Sequence, residues 1–158
     1  MLKSMTGFGR AEQNAGDKTF LIDIKSLNGK QFDISLKMPA FLKPFEFEIR
    51  TLLSQKINRG TVDCTININL AKAYYKPIAE LSKELNLDSS QVLSALLKLP
   101  EVITPTGETL TDTEWNDFRK ILDAAIDDLN LHRLDEVRSL EQELLLRINN
   151  IQLQQEEI

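Results

Sequence analysis

The 158-residue sequence has one cysteine, one histidine and no apolar run that approaches the ~20 residues a membrane-spanning helix needs. Lone Cys64 excludes an intramolecular disulfide and points to a reducing compartment. Lone His132 excludes, within one chain, a zinc or nickel site built from several imidazoles. No nucleophile elbow, P-loop or HExxH pattern occurs, so the common nucleophile, nucleotide and zinc-protease signatures are missing. No charged-then-apolar leader precedes the first strand-like residues, and the expected location is the cytoplasm.

What is present is alternation. Phe20, Ile22 and Ile24 alternate with Leu21, Asp23 and Lys25; Phe32, Ile34, Leu36 and Met38 alternate with Gln31, Asp33, Ser35 and Lys37. A period of two is the mark of a strand with one buried face. Asn28-Gly29 lies between the two runs, and that pair favours a type I′ turn, so residues 20–38 are expected to form a β-hairpin. Upstream, residues 2–13 read as a first strand with Gly7 and Gly9 marking a kink or a close backbone approach. Asn14-Ala-Gly-Asp17 reads as a turn.

Phe41, Phe45, Ile49, Leu52, Leu53 and Ile57 then recur at helical spacing, with Pro44 suited to the first turn and Gly60 to the residue beyond the helix. Val62, Cys64, Ile66, Ile68 and Leu70 form the cleanest alternating run, which makes Cys64 a small core residue. The expected fold class is α+β: a four-stranded, mainly antiparallel sheet in the order β-β-β-α-β, followed by a helical second half.

That second half divides into short helices and loop over residues 73–110 and one long amphipathic helix over 111–158, after a sheet domain over 1–72. Ile78, Leu81 and Leu85 mark one short helix; Asp88-Ser-Ser precedes a second through Val92, Leu93, Leu96 and Leu97, before Pro100, Pro105 and Gly107 keep the chain in loop. Thr111-Asp-Thr-Glu114 has the form of a capping box. From there a seam runs through Trp115, Phe118, Leu122, Ile126, Leu129, Arg133, Val137, Leu140, Leu144, Ile148 and Ile151. Such a helix outreaches a small domain, so its far half is expected to meet a partner. Arg133 interrupts the apolar seam, and a structural ion pair with Glu136 at i+3 is the expected solution. The abrupt finish after Ile158 reads as a cut before further sequence.

Net charge is −5, divided between +3 over residues 1–70 and −8 over 71–158. This suits either a phosphate-facing first half or simply a solvated acidic helical surface. The basic candidates are Arg10, Lys25, Lys30, Lys37, Arg50 and Arg59, a set without exposed aromatics for base stacking. Asp123, Asp127 and Asp128 sit on neighbouring helical turns, either as magnesium ligands or as ordinary exposed acids.

Ser4-Met-Thr-Gly-Phe-Gly-Arg-Ala-Glu12, Lys25-Ser-Leu-Asn28 leading to Phe32-Asp33, and Arg59-Gly60 before the last strand resemble the N-terminal region of the YicC/YloC family of bacterial metal-dependent endoribonucleases. The resemblance extends to the Arg133/Glu136 segment. It implies RNA as partner, a homo-hexamer for the whole protein, and a divalent metal, manganese or magnesium, bound by acidic residues of a C-terminal region beyond this stretch. No cofactor is then expected here, and the family's catalytic residues have no place on this chain. The candidate RNA-binding residues are Arg10, Lys25, Asn28 and Lys30. The competing reading is a non-catalytic oligomerisation module without RNA affinity.

Overall fold

In the computed structural model, residues 3–16, 18–69, 71–86 and 109–156 are described, with isolated positions 88, 91, 94 and 98. The expected second short helix and the Pro100–Gly107 loop lie essentially outside these residues.

Strand β1 (Gly7–Ala15) pairs antiparallel with β2 (Lys18–Leu27) along its whole length, from Gly7 opposite Ser26 to Ala15 opposite Lys18. The turn between them passes through Gly16 at φ 64°, a backbone state that glycine adopts without Cβ strain. On its other side β2 pairs antiparallel with β4 (Thr61–Asn69), and β4 pairs in parallel with the short β3 (Asp33–Lys37). The sheet order is β1-β2-β4-β3, an α+β architecture in which the pairing is mostly antiparallel.

This arrangement corrects the hairpin expected over residues 20–38. Neither Asn28 nor Gly29 has positive φ, and β4 separates β2 from β3. The nine residues Thr19–Leu27 each find a partner on β4, whereas β3 is only five residues long. A full ladder joining two long buried faces outweighs a short hairpin held by a favourable turn pair. Gly29 has a different duty: a Cβ there would stand 2.5 Å from Thr61 Oγ1.

Between β3 and β4 the chain makes a 3₁₀ turn (Ala40–Phe45) and then helix α1 (Glu46–Ile57). Pro44 lacks an N–H and lies in the 3₁₀ turn, so the α-helix starts two residues later. Ile49, Leu53 and Ile57 of α1 are buried. Asn58, not Gly60, is the left-handed C-cap, at φ 57°. Helix α2 (Ala71–Glu84) follows β4 and leaves Leu81 exposed.

Helix α3 (Asp112–Glu156) opens with the expected capping box: Glu114 N–H donates to Thr111 Oγ1 at 3.4 Å, and Thr111 N–H donates to Glu114 Oε2 at 3.0 Å. Its first half crosses the inner sheet face. Phe118, Ile121, Leu122, Ala125, Ile126 and Leu129 are buried in one core with Phe20, Ile22, Ile24 and the inward residues of β4. Phe20 meets Phe118 edge-on at 5.3 Å, and Trp115 stacks on Phe45 at 4.3 Å. Each fully buried side chain of this kind contributes about 1.5–3 kcal/mol. Cys64 belongs to this core, where burial pushes its thiol pKa up to about 12.

Candidate nucleic-acid interface

Four separate stretches meet at one end of the sheet. They are Ser4–Thr6 before β1, Ser26–Gly29 at the end of β2, Asn58–Gly60 before β4, and Arg133 with Glu136 on α3. Ser26 Oγ donates to the Met5 carbonyl, and Gly60 passes so close to β2 that a Cβ would fall 2.6 Å from the Leu27 carbonyl oxygen.

Arg133 is 3% exposed, and it does not pair with Glu136. Its Nε donates to the Ser4 carbonyl and its Nη1 to the Ile57 carbonyl at 3.2 Å, while its own carbonyl accepts the Ser4 N–H at 3.3 Å. No carboxylate lies within ion-pairing reach of it among the described residues. The expected ion pair gives way because Ser4 and Ile57 present fixed carbonyl dipoles in the path of the side chain. Burial lowers the guanidinium pKa from its ordinary value. Glu136 turns instead to Thr6, whose hydroxyl donates to both carboxylate oxygens at 2.9 and 2.8 Å. The Thr6 and then the Ser4 hydroxyl hold the Glu136 carboxyl below its usual pKa.

Gly7 and Gly9 serve the same seat. A Cβ on Gly9 would lie 2.3 Å from the Ala125 carbonyl oxygen and 2.5 Å from the Leu129 nitrogen, so β1 touches the backbone of α3 directly. One residue on, the Arg10 N–H donates to Asp128 Oδ2 at 3.0 Å. The Gly-Phe-Gly pattern is therefore a strand–helix contact.

Beside this clasp a cleft of about 470 Å³ opens between the β2–β3 connection and the α1–β4 connection. Asn28, Lys30, Gln31, Phe32, Asn58 and Arg59 line it, with Met5, Gly29 and Gly60. The lining holds two cations, three side-chain amides and no carboxylate. Phe32, which alternation assigns to a buried strand face, precedes β3 and is 36% exposed. Phe8 and Phe47 are exposed as well, so the expectation of a surface without available aromatics does not hold.

Asn28 and Lys30 thus share the cleft with Arg59, whereas Arg10 and Lys25 stand on the open sheet face. Arg10 grips Asp23 with Nε–Oδ1 at 2.6 Å and Nη2–Oδ2 at 3.1 Å. That bond raises the Arg10 pKa and lowers that of Asp23. Lys25 is in register with Asp63 and borders a second depression of about 270 Å³ that mixes Lys25 and Lys37 with Asp23 and Asp63. Arg50 is engaged with Glu46 at 2.9 Å and with the Ile34 carbonyl at 2.8 Å. Gln31, Phe32 and Asn58 were not among the site residues expected from the sequence, where Gln31 and Phe32 belonged to an alternating strand; for Gln31 and Asn58 the one available sign was a cluster of amide residues at two element junctions.

Asp123 is paired with Lys56 at 2.8 Å. Among the described residues no group of three or more His, Cys, Asp or Glu side chains is arranged to hold a metal ion. No described helix is long and apolar enough to cross a membrane.

Comparison with known proteins agrees with the motif resemblance. A family model described as "Endoribonuclease YicC-like, N-terminal region" matches residues 2–142. A probable endoribonuclease YicC of Clostridioides difficile (strain 630) is 26% identical over 173 aligned positions, covering 100% of this chain and 59% of the relative. A probable endoribonuclease YicC of Haemophilus influenzae (strain ATCC 51907 / DSM 11121 / KW20 / Rd) is 27% identical over 117 positions, covering 71% of this chain and 38% of the relative. The chain therefore spans well under two thirds of either relative's length. Matched over most of its residues, from the clasped opening through β4 and into α3, the chain belongs to the endoribonuclease YicC-like N-terminal-region family.

Proposed function

We propose that this chain is the RNA-binding and assembly region of a cytoplasmic, metal-dependent endoribonuclease. The cleft carries the reading: Lys30 and Arg59 both line it and no carboxylate competes with a bound phosphate. Cations placed this way release condensed counterions when they meet an RNA backbone, whatever its sequence. The open sheet face is a weaker candidate, because Arg10 and Lys25 stand beside Asp23 and Asp63.

In this reading the divalent metal, manganese or magnesium, belongs to the whole protein, whose relatives are longer than this chain. When bound, such a metal supplies an activated water for phosphodiester hydrolysis. This chain's own contribution is to hold the RNA.

Fluorescence anisotropy with a labelled RNA oligonucleotide tests the reading. Lys30→Glu and Arg59→Glu should each weaken binding across unrelated sequences and flatten the salt dependence by about one unit of slope. An affinity and slope unchanged by the double reversal would remove RNA binding from this cleft.

The far half of α3 supports self-association as a second role. Leu140, Leu144, Ile148 and Ile151 are each about half exposed or more on one helix. Light scattering should show the chain heavier than a monomer at high micromolar concentration. RNA affinity absent from a self-associating chain would leave the oligomerisation module as the reading; the homo-hexamer is proposed for the whole protein alone.

A further inference from the structure

We infer that the cleft is built for an unpaired nucleotide, so that this chain selects single-stranded RNA over duplex; the inference rests on the RNA-binding reading above. Two cations alone fit any phosphate. The remaining lining is what discriminates. Asn28 and Gln31 are exposed and carry an acceptor oxygen and an NH₂ donor each, the groups that pair with nucleobase edges, while the Asn58 NH₂ is turned back onto the Ser54 and Gln55 carbonyls at 3.0 and 3.2 Å and leaves its oxygen as an acceptor. Phe32 presents part of its ring to the same space.

Amides, a ring and cations around one concavity match the needs of a splayed nucleotide: a surface to stack on, partners for the base edge, and charge for the phosphate. In a duplex the base faces are stacked and the Watson–Crick edges are paired, so neither Phe32 nor the amides have anything to contact. The cleft's volume of about 470 Å³ lies within the ordinary range for small-ligand sites, and a rigid A-form helix has no single-nucleotide projection to enter it. The position of the cleft adds a reason for order. Met5 borders it and is tied to Ser26, Gly60 is packed against the Leu27 carbonyl, and Asp33 N–H donates to the Gly60 carbonyl at 3.4 Å. Both connections that carry the polar side chains are thus fastened to the sheet end.

Anisotropy titrations of the chain with one labelled RNA, first single-stranded and then annealed to its complement, provide the test. Single strands should bind on the order of tenfold tighter, the usual scale of one base stacked on an aromatic. Phe32→Leu keeps an apolar side chain but removes the stacking face, and should lower single-strand affinity by roughly fivefold or more while leaving duplex affinity unchanged. Phe32→Tyr should retain wild-type binding, and melting curves identify any variant that has lost its fold. Equal affinity for both RNA forms, with Phe32→Leu silent and Lys30→Glu still damaging, overturns the nucleotide site and leaves the RNA-binding reading standing. No binding to either form overturns both.

Discussion

The two halves of α3 have similar apolar spacing and opposite surroundings. From Trp115 to Arg133 the seam lies on the sheet, and Phe118, Leu122, Ile126 and Leu129 are buried to within the last per cent of their surface. From Leu140 to Leu153 comparable residues are about half exposed or more. At 1.5 Å per residue the 45-residue helix runs about 68 Å, while a strand of ten residues spans about 33 Å. The sheet is long enough for one half. Periodicity therefore records that a helix face is covered without recording what covers it, and a uniform seam serves two kinds of contact.

The sharpest way to break this comparison is to truncate one apolar residue in each half. Phe118→Ala should cost about 3–5 kcal/mol, because the core cannot close around the missing ring. Leu144→Ala, measured by denaturation of the dilute chain, should stay within about 0.5 kcal/mol. Equal losses would mean that the far half is already packed. In the near half, Gly9→Ala adds only one methyl, yet it meets the Ala125 and Leu129 backbone, and should cost about 1–3 kcal/mol.

A smaller effect marks the boundary between the halves. The folded Glu136 carboxyl titrates below its ordinary value of 4.5, so its contribution to stability is full above that pH and fades as pH falls through the folded value. The melting-temperature gap between wild type and Glu136→Gln should accordingly be constant near neutrality and narrow in acid. A gap that does not change with pH would mean that charge on Glu136 has no part in holding Thr6.

The alternating strands, the capping box and the core role of Cys64 were all legible, since each depends on neighbours within a few residues. Strand partnership was not. Alternation fixes which face of β2 is buried, and it is silent on whether β3 or β4 lies alongside. Asn28-Gly29 looked like a turn because turns and close approaches both call for glycine; here the constraint comes from Thr61, thirty-two positions away. The cleft was half legible. Its charges stood out, but Phe32 and the amides became a set only once two connections were brought together. Arg133 was correctly marked as out of place in an apolar seam, yet its partners are backbone carbonyls, which every sequence supplies equally.

The clasp between Thr6 and Glu136 joins residues 130 positions apart. During synthesis at ~5–20 residues per second, the opening segment waits on the order of ten seconds before its helical seat exists. Until then β1 can pair with β2, but Gly7 and Gly9 have no helix to lie against, and the inner face of the hairpin is bare. Contacts of such long sequence separation slow folding. The residues of β1, made well before α3, are thus secured late, and the nascent hairpin is the stage at which this chain most needs protection from other exposed strands.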